Sequence, residues 1–371
     1  MNLTKRLQCY AREIGLELIG LAGVQPFTSA QEVLWERRRR GLYNPFAPAN
    51  IDLACHPSRV LPGAKSFVAV ALSYYQGHLP RPEGYRGYMA RFSWGQDYHK
   101  VLGLKLDLLQ RFLRREAPNS QSLAFVDTGP FLDKEVASRA GLGWFGKNTL
   151  LITELGSYLV LGGLLTTIGF SPSVFEQREC GTCDLCLRAC PTGALIAPGI
   201  LDSQRCLSYL TQRRGYFPPE MRSMLGLRLY GCDTCQEVCP HNYRAPITPH
   251  GEFFPRGQGH WPDLVKLLSL DKQGFKALYT GNAAGWGGRT LLQRNALLVL
   301  GNIGEPDLLA TLKESFCDPR PLIRGHAAWA LGRLKNKRAL QVLEGGAANE
   351  SDPLVKEEIR SALKGFSGIS P

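Results

Sequence analysis

The sequence predicts an α+β protein in three parts: an N-terminal α/β domain over residues 1–175, a small cysteine-rich module over 176–245, and a linker with helical repeats over 246–371. Three observations predict this. Apolar strand-like runs alternate with helical patterns in the first part, eight of the eleven cysteines crowd into the second, and the third repeats itself.

The N-terminal part opens on MNLTKRLQCYAREIGLELIG, which reads as an amphipathic helix. Strand-like runs follow in SFVAVALSY at 66–74, SLAFVDTG at 122–129 and SYLVLGGLLTTI at 157–168, with the helical pattern YHKVLGLKLDLLQRFLRRE between the first two. This alternation leaves both an α/β and an α+β arrangement open. In the module, short helices separate the cysteines, and Pro191 and Pro240 each directly follow one. Beyond the Pro/Gly-rich bridge PHGEFFPRGQGHWP, RNALLVLGNIG matches RGHAAWALGRL with an offset of 31 residues between Asn295 and His326, and DPLVKEEIRSALK echoes DPRPLIRGHAAWAL. Two-helix units of this period resemble HEAT repeats, which stack into binding surfaces.

With 44% apolar residues in 371, the chain can bury one large core or several smaller ones. No apolar run approaches the roughly 20 residues that span a bilayer, and the opening lacks the pattern of a signal peptide. A soluble, cytoplasmic protein without membrane contact is expected. Thiols stay reduced in that compartment, so clustered cysteines point to metal or redox chemistry rather than disulfides. The formal net charge of +12 suits a polyanionic partner, nucleic acid first and an acidic protein second.

The run CGTCDLCLRACP, Cys180 to Pro191, has the spacing C-x2-C-x2-C-x3-C-P. This is the bacterial ferredoxin pattern, in which three thiolates take one [4Fe-4S] cluster and the fourth reaches the other. A partial second run, GCDTCQEVCP, supplies Cys232, Cys235 and Cys239. Two cubanes need eight thiolates and the two runs hold seven, so Cys206 in LDSQRCLSYL is the expected eighth. Cys180, Cys183, Cys186 and Cys239 are assigned to one cluster, and Cys190, Cys206, Cys232 and Cys235 to the other. A zinc ribbon competes, but it pairs two C-x2-C knuckles and has no use for the third cysteine or for Cys-Pro. Cys9, Cys55 and Cys317 are read as packing residues.

Electrons carried by two clusters need a destination, which the N-terminal domain must supply. In FVDTGPFLDKEVASRAGLGWFGKNTLLI a strand delivers Asp127 to a Thr-Gly-Pro turn, a helix follows with Asp133, Lys134 and Glu135, and Gly141, Gly143 and Gly146 allow close approach of a ligand to the backbone. A carboxylate at a strand end, desolvated beside a cofactor, can act as a proton donor. Asp127 as a cap of the following helix fits the same pattern.

Together, SWGQDYHKVL, FVDTGP, RAGLGWFGKN, the double-cluster signature, RCLSYLTQRRG and GCDTCQEVCP resemble the epoxyqueuosine reductases, cobalamin-dependent iron-sulfur enzymes that complete queuosine in tRNA. The resemblance spans roughly residues 5–335. It implies a cobalamin-binding domain related to reductive dehalogenases, a bicluster ferredoxin-like domain and HEAT-like helices. It also implies Asp127 as proton donor and Tyr98 and His99 as an active-site pair, with Ala90, Leu151, Leu161 and Ser208 against the corrin. The implied partners are the anticodon loop of tRNA and a small electron-donor protein such as a flavodoxin or ferredoxin, with the chain a monomer.

Among basic residues, Arg37 to Arg40 end a helical pattern before Gly41, where cations favour the helix terminus as much as an RNA contact. Arg213 and Arg214 are the better RNA candidates, about two helical turns beyond Cys206. Arg289, Arg294, Arg320, Arg324 and Lys335 recur on the repeats, where a basic face would hold a phosphate backbone. Two other classes share these features. A reductive dehalogenase or other small-molecule reductase would use the same cofactors but is usually exported, and a plain electron-transfer subunit would leave the N-terminal domain without a task.

Overall fold

A computed structural model describes residues 2–174, 178–257 and 259–366. The chain forms two compact units, each drawn from separate stretches: Met1–Gly77, Gln96–Cys206 and Thr234–Phe254 in the first, and His78–Gly95, Leu207–Asp233 and Pro255–Pro371 in the second.

The first unit is built on a four-stranded sheet. Its strands are β1 (Leu18–Gly23), β2 (Ser66–Ser73), β3 (Ser122–Phe125) and β4 (Leu159–Thr166), in the order β1-β2-β4-β3 with every pair antiparallel. Of the two arrangements the alternation allowed, the sheet is therefore the α+β one. All eight residues of β2 are buried. Because successive side chains point to opposite faces, both faces of that strand are covered, which explains its unbroken apolar run. β1 begins inside the stretch read as an opening helix; that helix, α1 (Leu3–Glu13), stops short of it at Gly15, whose φ of 75° L side chains rarely adopt.

Two further helices frame the candidate site. α3 (Tyr98–Glu116) buries Val101, Leu102, Leu106, Leu109, Phe112 and Leu113 at helical spacing and packs on β3 and β4. It follows α2 (Thr28–Arg39), whose last turn carries Arg37, Arg38 and Arg39. Arg37 donates to the Gly199 carbonyl, Arg38 to that of Ala49, and Arg39 pairs with Glu36, so these residues finish a helix. α4 (Asp133–Arg139) packs on β1, β2 and β4. Cys55 is buried as expected, whereas Cys9, on the outer face of α1, and Cys317, after the last turn of its helix, are exposed.

The second unit contains the repeats. Below, α5 (Leu185–Ala189) and α6 (Thr234–Glu237) denote the short cysteine-bearing helices of the first unit. The repeat helices are α7 (Arg289–Ile303), α8 (Leu309–Phe316), α9 (Pro321–Leu334), α10 (Lys337–Asn349) and α11 (Pro353–Lys364). α7 packs on α9 and α9 on α11, as stacked two-helix units should.

The equivalent positions Asn295 and His326 do the same job in successive repeats. Asn295 donates to the carbonyls of Thr211 and Leu229, both at 2.8 Å, and His326 Nε2 accepts the Phe217 N–H at 3.2 Å. Burial holds His326 well below its ordinary pKa, which keeps it the neutral acceptor this bond needs.

The cations expected to form a basic face are each tied to partners within the unit, and one of them, Arg294, is buried. Arg294 is 1% exposed and donates to the carbonyls of Arg213, Gly215 and Leu210, while burial pushes its pKa down to about 9. Arg289 donates to Leu270, Arg320 pairs with Asp318, Arg324 with Glu350, and Lys335 donates to the Gly365 carbonyl. These cations close backbone and carboxylate contacts inside the unit. Arg213 and Arg214 lie beyond a single helical turn, Leu207–Leu210, rather than two, and Arg214 is exposed.

Candidate active site

β3 ends at Phe125, and the chain then turns sharply. Asp127 adopts a φ of 55°, while the Thr128 N–H closes on the Val126 carbonyl at 2.5 Å. A three-residue turn with positive φ at a non-glycine centre is the strained form of its class. The turn presents the Asp127 carboxylate to the start of α3. There the Tyr98 hydroxyl donates to Asp127 Oδ2 at 2.5 Å, and His99 Nε2 stands 3.8 Å from the same oxygen.

The sequence of that helix start explains why both side chains are in place. Asp97 caps α3: its Oδ1 accepts the His99 backbone N–H at 3.0 Å and lies 2.7 Å from the His99 ring Nδ1. With Nδ1–H given to Asp97, Nε2 is left directed at Asp127. The hydrogen bond to Asp97 raises the His99 pKa, against burial, which acts to lower it. Burial works to raise Asp97, but the bonds from His99 outweigh it and hold it low. Asp97 was not singled out in the sequence, although an Asp immediately before a helical run is a capping signal.

Behind the turn stands Asp133, at the start of α4. Its Oδ2 accepts the Asp127 N–H at 2.7 Å, while its Oδ1 is covered and has no hydrogen-bond partner. Asp127 does not cap this helix; Leu132 holds the cap position and makes no side-chain bond there. Nor is Asp127 the desolvated carboxylate expected, since its side chain is 63% exposed. Asp133 is that carboxylate. Burial first, then the neighbouring Asp127 charge, push its pKa up from the ordinary 3.8 to about 7.

A carboxyl with a raised folded-state pKa favours the fold while protonated, so its contribution is complete below the unfolded value and is lost as pH rises through about 7. Thermal melts of Asp133→Asn should therefore lose less stability than the parent as pH rises from about 4 to about 7. Identical pH slopes for the two proteins would contradict this.

Leu151, 3% exposed, and Leu161, half-buried on β4, belong to the apolar cluster that holds Phe125 and Phe131, the residues flanking the turn. Gly162 is required there, because a Cβ at that position would meet the Phe125 carbonyl oxygen at 2.7 Å. Ala90 and Ser208 lie in the second unit. Ala90 is fully buried, with its N–H on the Tyr230 carbonyl, and the Ser208 carbonyl accepts from Gln212 and Thr211. The glycine-rich stretch serves the protein's own packing, since a Cβ on Gly143 would meet the Ile152 carbonyl oxygen at 2.1 Å.

Of the cysteines, Cys180, Cys183, Cys186 and Cys239 come together in the first unit. Cys180 packs on a buried cluster of Trp144, Ile152 and Cys239. Cys239 feels the thiols of Cys180 and Cys183, and Cys186 those of Cys180 and Cys239; burial, then these neighbours, raise both pKa values. Lys147 donates to the carbonyls of Gly181 and Cys183, and α6 is tied to the start of β4 by the Ser157 hydroxyl on Gln236.

Cys190 and Cys206 are joined through short links. The Ala194 N–H donates to Cys190 Sγ at 3.2 Å, while the Thr192 hydroxyl donates to the Arg205 carbonyl at 2.6 Å, one residue before Cys206. Cys235 is in the same unit, and Cys232 falls in the second. Among the described residues no three His, Cys, Asp or Glu side chains converge as single-ion ligands do. A cubane, by contrast, takes one thiolate at each of its separated irons.

Three family profiles match the chain: a 4Fe-4S double cluster binding domain over residues 179–242, "Epoxyqueuosine reductase QueG, DUF1730" over 55–128 and HEAT repeats over 288–364. The epoxyqueuosine reductase of Bacillus subtilis is 40% identical over 98% of this chain and 96% of its own. A crystal structure of an epoxyqueuosine reductase with an epoxyqueuosine-modified tRNA-Tyr stem loop is 39% identical, with a TM-score of 0.95 over 99% of each chain. A Bacillus subtilis structure with its catalytic aspartate loop swung out of the active site is 39% identical, with a TM-score of 0.95 over 98% of this chain and 99% of that one. Among the described residues no helix is long and apolar enough to cross a membrane. The cysteine module and the two-helix repeats thus find their counterparts along nearly the full chain, and the chain belongs to the epoxyqueuosine reductase family.

Proposed function

We propose that this oxidoreductase converts epoxyqueuosine to queuosine in the anticodon loop of tRNA, with Asp127 as the proton donor. The reaction removes the epoxide oxygen: two electrons and two protons enter, the two C–O bonds are lost, an alkene remains and water leaves. The observation that carries the reading is the exposed Asp127 carboxylate held by Tyr98 at 2.5 Å, with His99 Nε2 at 3.8 Å. An acid that must protonate an oxygen on a bound molecule needs such an open, oriented position.

In this reading Asp127 gives its proton to the departing oxygen, and the Tyr98 hydroxyl fixes the carboxylate left behind. His99, oriented by Asp97 and with its pKa raised, returns a proton through Nε2. Support for the aspartate comes from the relative whose catalytic aspartate loop swings out of its active site, and for the substrate from the relative solved with a modified tRNA stem loop. An unpaired loop is a cheap substrate, because its bases are already free to leave the stack.

The side chains near Asp127 fit cobalamin, since half-buried Leu161 offers apolar surface on the cluster beside the proton-carrying trio. Leu151 and Leu161, both on that cluster, would hold it. Bound there, it supplies a low-valent metal as electron donor, which side chains cannot provide. Cys180, Cys183, Cys186 and Cys239 would ligate one [4Fe-4S] cluster, and Cys190, Cys206, Cys232 and Cys235 the other, fed by a flavodoxin- or ferredoxin-like donor. The protein would act as a cytoplasmic monomer.

Anaerobic incubation with epoxyqueuosine-containing tRNA and a strong reductant should yield queuosine, detected by nucleoside mass spectrometry. No conversion by protein loaded with corrinoid and iron would overturn the reading. tRNA binding should weaken steeply with salt, and replacing Arg213 and Arg214 together by Ala should weaken it further while leaving iron content unchanged. Binding indifferent to ionic strength would exclude that RNA role.

A further inference from the structure

We infer that Asp133 is the latch of the Asp127 turn, a positioning residue whose carboxylate holds the loop 126–132 in its working conformation. The inference rests on the reading of Asp127 as the acid and adds what sets its position. The loop runs from the end of β3 to the start of α4, and the bond from the Asp127 N–H to Asp133 Oδ2, at 2.7 Å, ties its two ends together. Phe131 anchors the far end of the loop in the apolar cluster, but at the Asp127 end only short bonds within the turn, from Thr128 to the Val126 carbonyl, favour its shape. Asp127 sits at a φ of 55°, which costs free energy for a residue with a Cβ, and its side chain is mostly exposed.

The remaining bonds do not replace the latch. Tyr98 holds the carboxylate tip, and the Thr128 N–H is used inside the turn itself. Asp133, by contrast, is anchored in α4, a helix packed against three strands of the sheet. Its second oxygen, Oδ1, is covered and unpartnered, so the carboxylate reaches the protein's hydrogen bonds through one oxygen. A buried carboxylate left with few donors costs much free energy, and the Asp127 N–H is a donor the loop brings only when it is in. Loop and latch therefore stabilise each other, and swinging the loop out breaks both.

The test uses the whole chain with its cofactors as purified. Asp133→Ala removes the acceptor, Asp133→Ser keeps a polar residue that suits a helix start but is too short to reach the Asp127 N–H, and Asp133→Asn keeps an acceptor oxygen at the same reach. Hydrogen exchange of peptides covering 126–132, read by mass spectrometry, should rise by roughly ten- to a hundredfold in Asp133→Ala and Asp133→Ser, the range lost when a donor is left without its hydrogen-bond partner.

Asp133→Asn should stay near the parent rate. Turnover should follow the same order, with kcat falling in Ala and Ser, KM for tRNA little changed and Asn restoring most of the loss. Unchanged exchange in a folded Ser or Ala variant overturns the latch, as does an Asn variant as mobile as Ala. If neither short variant folds, an Asn variant whose 126–132 peptides exchange about tenfold or more faster than the parent's overturns the latch. Asp127→Asn that turns over normally would sink the acid reading alone, because the exchange experiment does not depend on it.

Discussion

Cys206→Ser should lower iron and acid-labile sulfide from about eight of each per chain towards about four, with the corresponding loss of one cluster signal in EPR spectra of protein purified without oxygen. The reason is local. The two cysteine runs supply seven thiolates, and Cys206 is the remaining cysteine of the module. Its backbone is fixed by a short helical turn at Ser203–Arg205, and the residue before it, Arg205, both accepts from the Thr192 hydroxyl and donates to the Thr192 carbonyl at 2.5 Å.

Those links keep Cys206 beside the loop that follows Cys190. Replacing sulfur by oxygen there removes a soft thiolate donor without disturbing the links, so the effect should be confined to one cluster. Turnover should fall to background, because both electrons pass one at a time along a path that then lacks a carrier. A variant that retains the parent's iron content would show that Cys206 is not a ligand.

What was legible in the sequence follows the range over which each signal acts. The cysteine runs are short-range patterns: a cluster needs thiolates at fixed chain spacing, so chemistry is written within a dozen residues. Long periodic helices are equally local. The α3 pattern was read over the same residues, Tyr98–Glu116, that form the helix. β1 was not, because LELIG is short, and only pairing with β2 makes it a strand.

Arg294 departs from its reading as a surface cation for the opposite reason. Recurring cations on a helical array look like a phosphate-binding stripe, yet Arg294 and the Asn295 and His326 pair face the backbone of residues 207–217, far away in sequence. The site itself was half legible. FVDTGP marks the turn and DYH the helix start, but the contact of Asp133 with the Asp127 N–H depends on a loop conformation that residue spacing does not specify.

Asp127→Asn should slow the reduction of epoxyqueuosine in tRNA by about 10²- to 10⁴-fold, the contribution of a general acid. Asparagine matches the shape of aspartate and still accepts the Tyr98 hydroxyl, so the 2.5 Å contact has a partner after the change. The Asp127 N–H that meets Asp133 is untouched, and the turn should keep its form. What is lost is the proton.

Corrinoid content, iron content and tRNA affinity should therefore stay close to the parent's, which separates this outcome from a pocket or folding defect. His99 provides the control. His99→Gln leaves Asp127 in place but removes the ring that stands 3.8 Å from it, so turnover should fall by less than in Asp127→Asn and retain a dependence on Asp127. Should Asp127→Asn turn over at the parent's rate while His99→Gln does not, the proton comes from His99. Should Asp127→Asn lose its corrinoid, Asp127 is part of the pocket and the acid lies elsewhere.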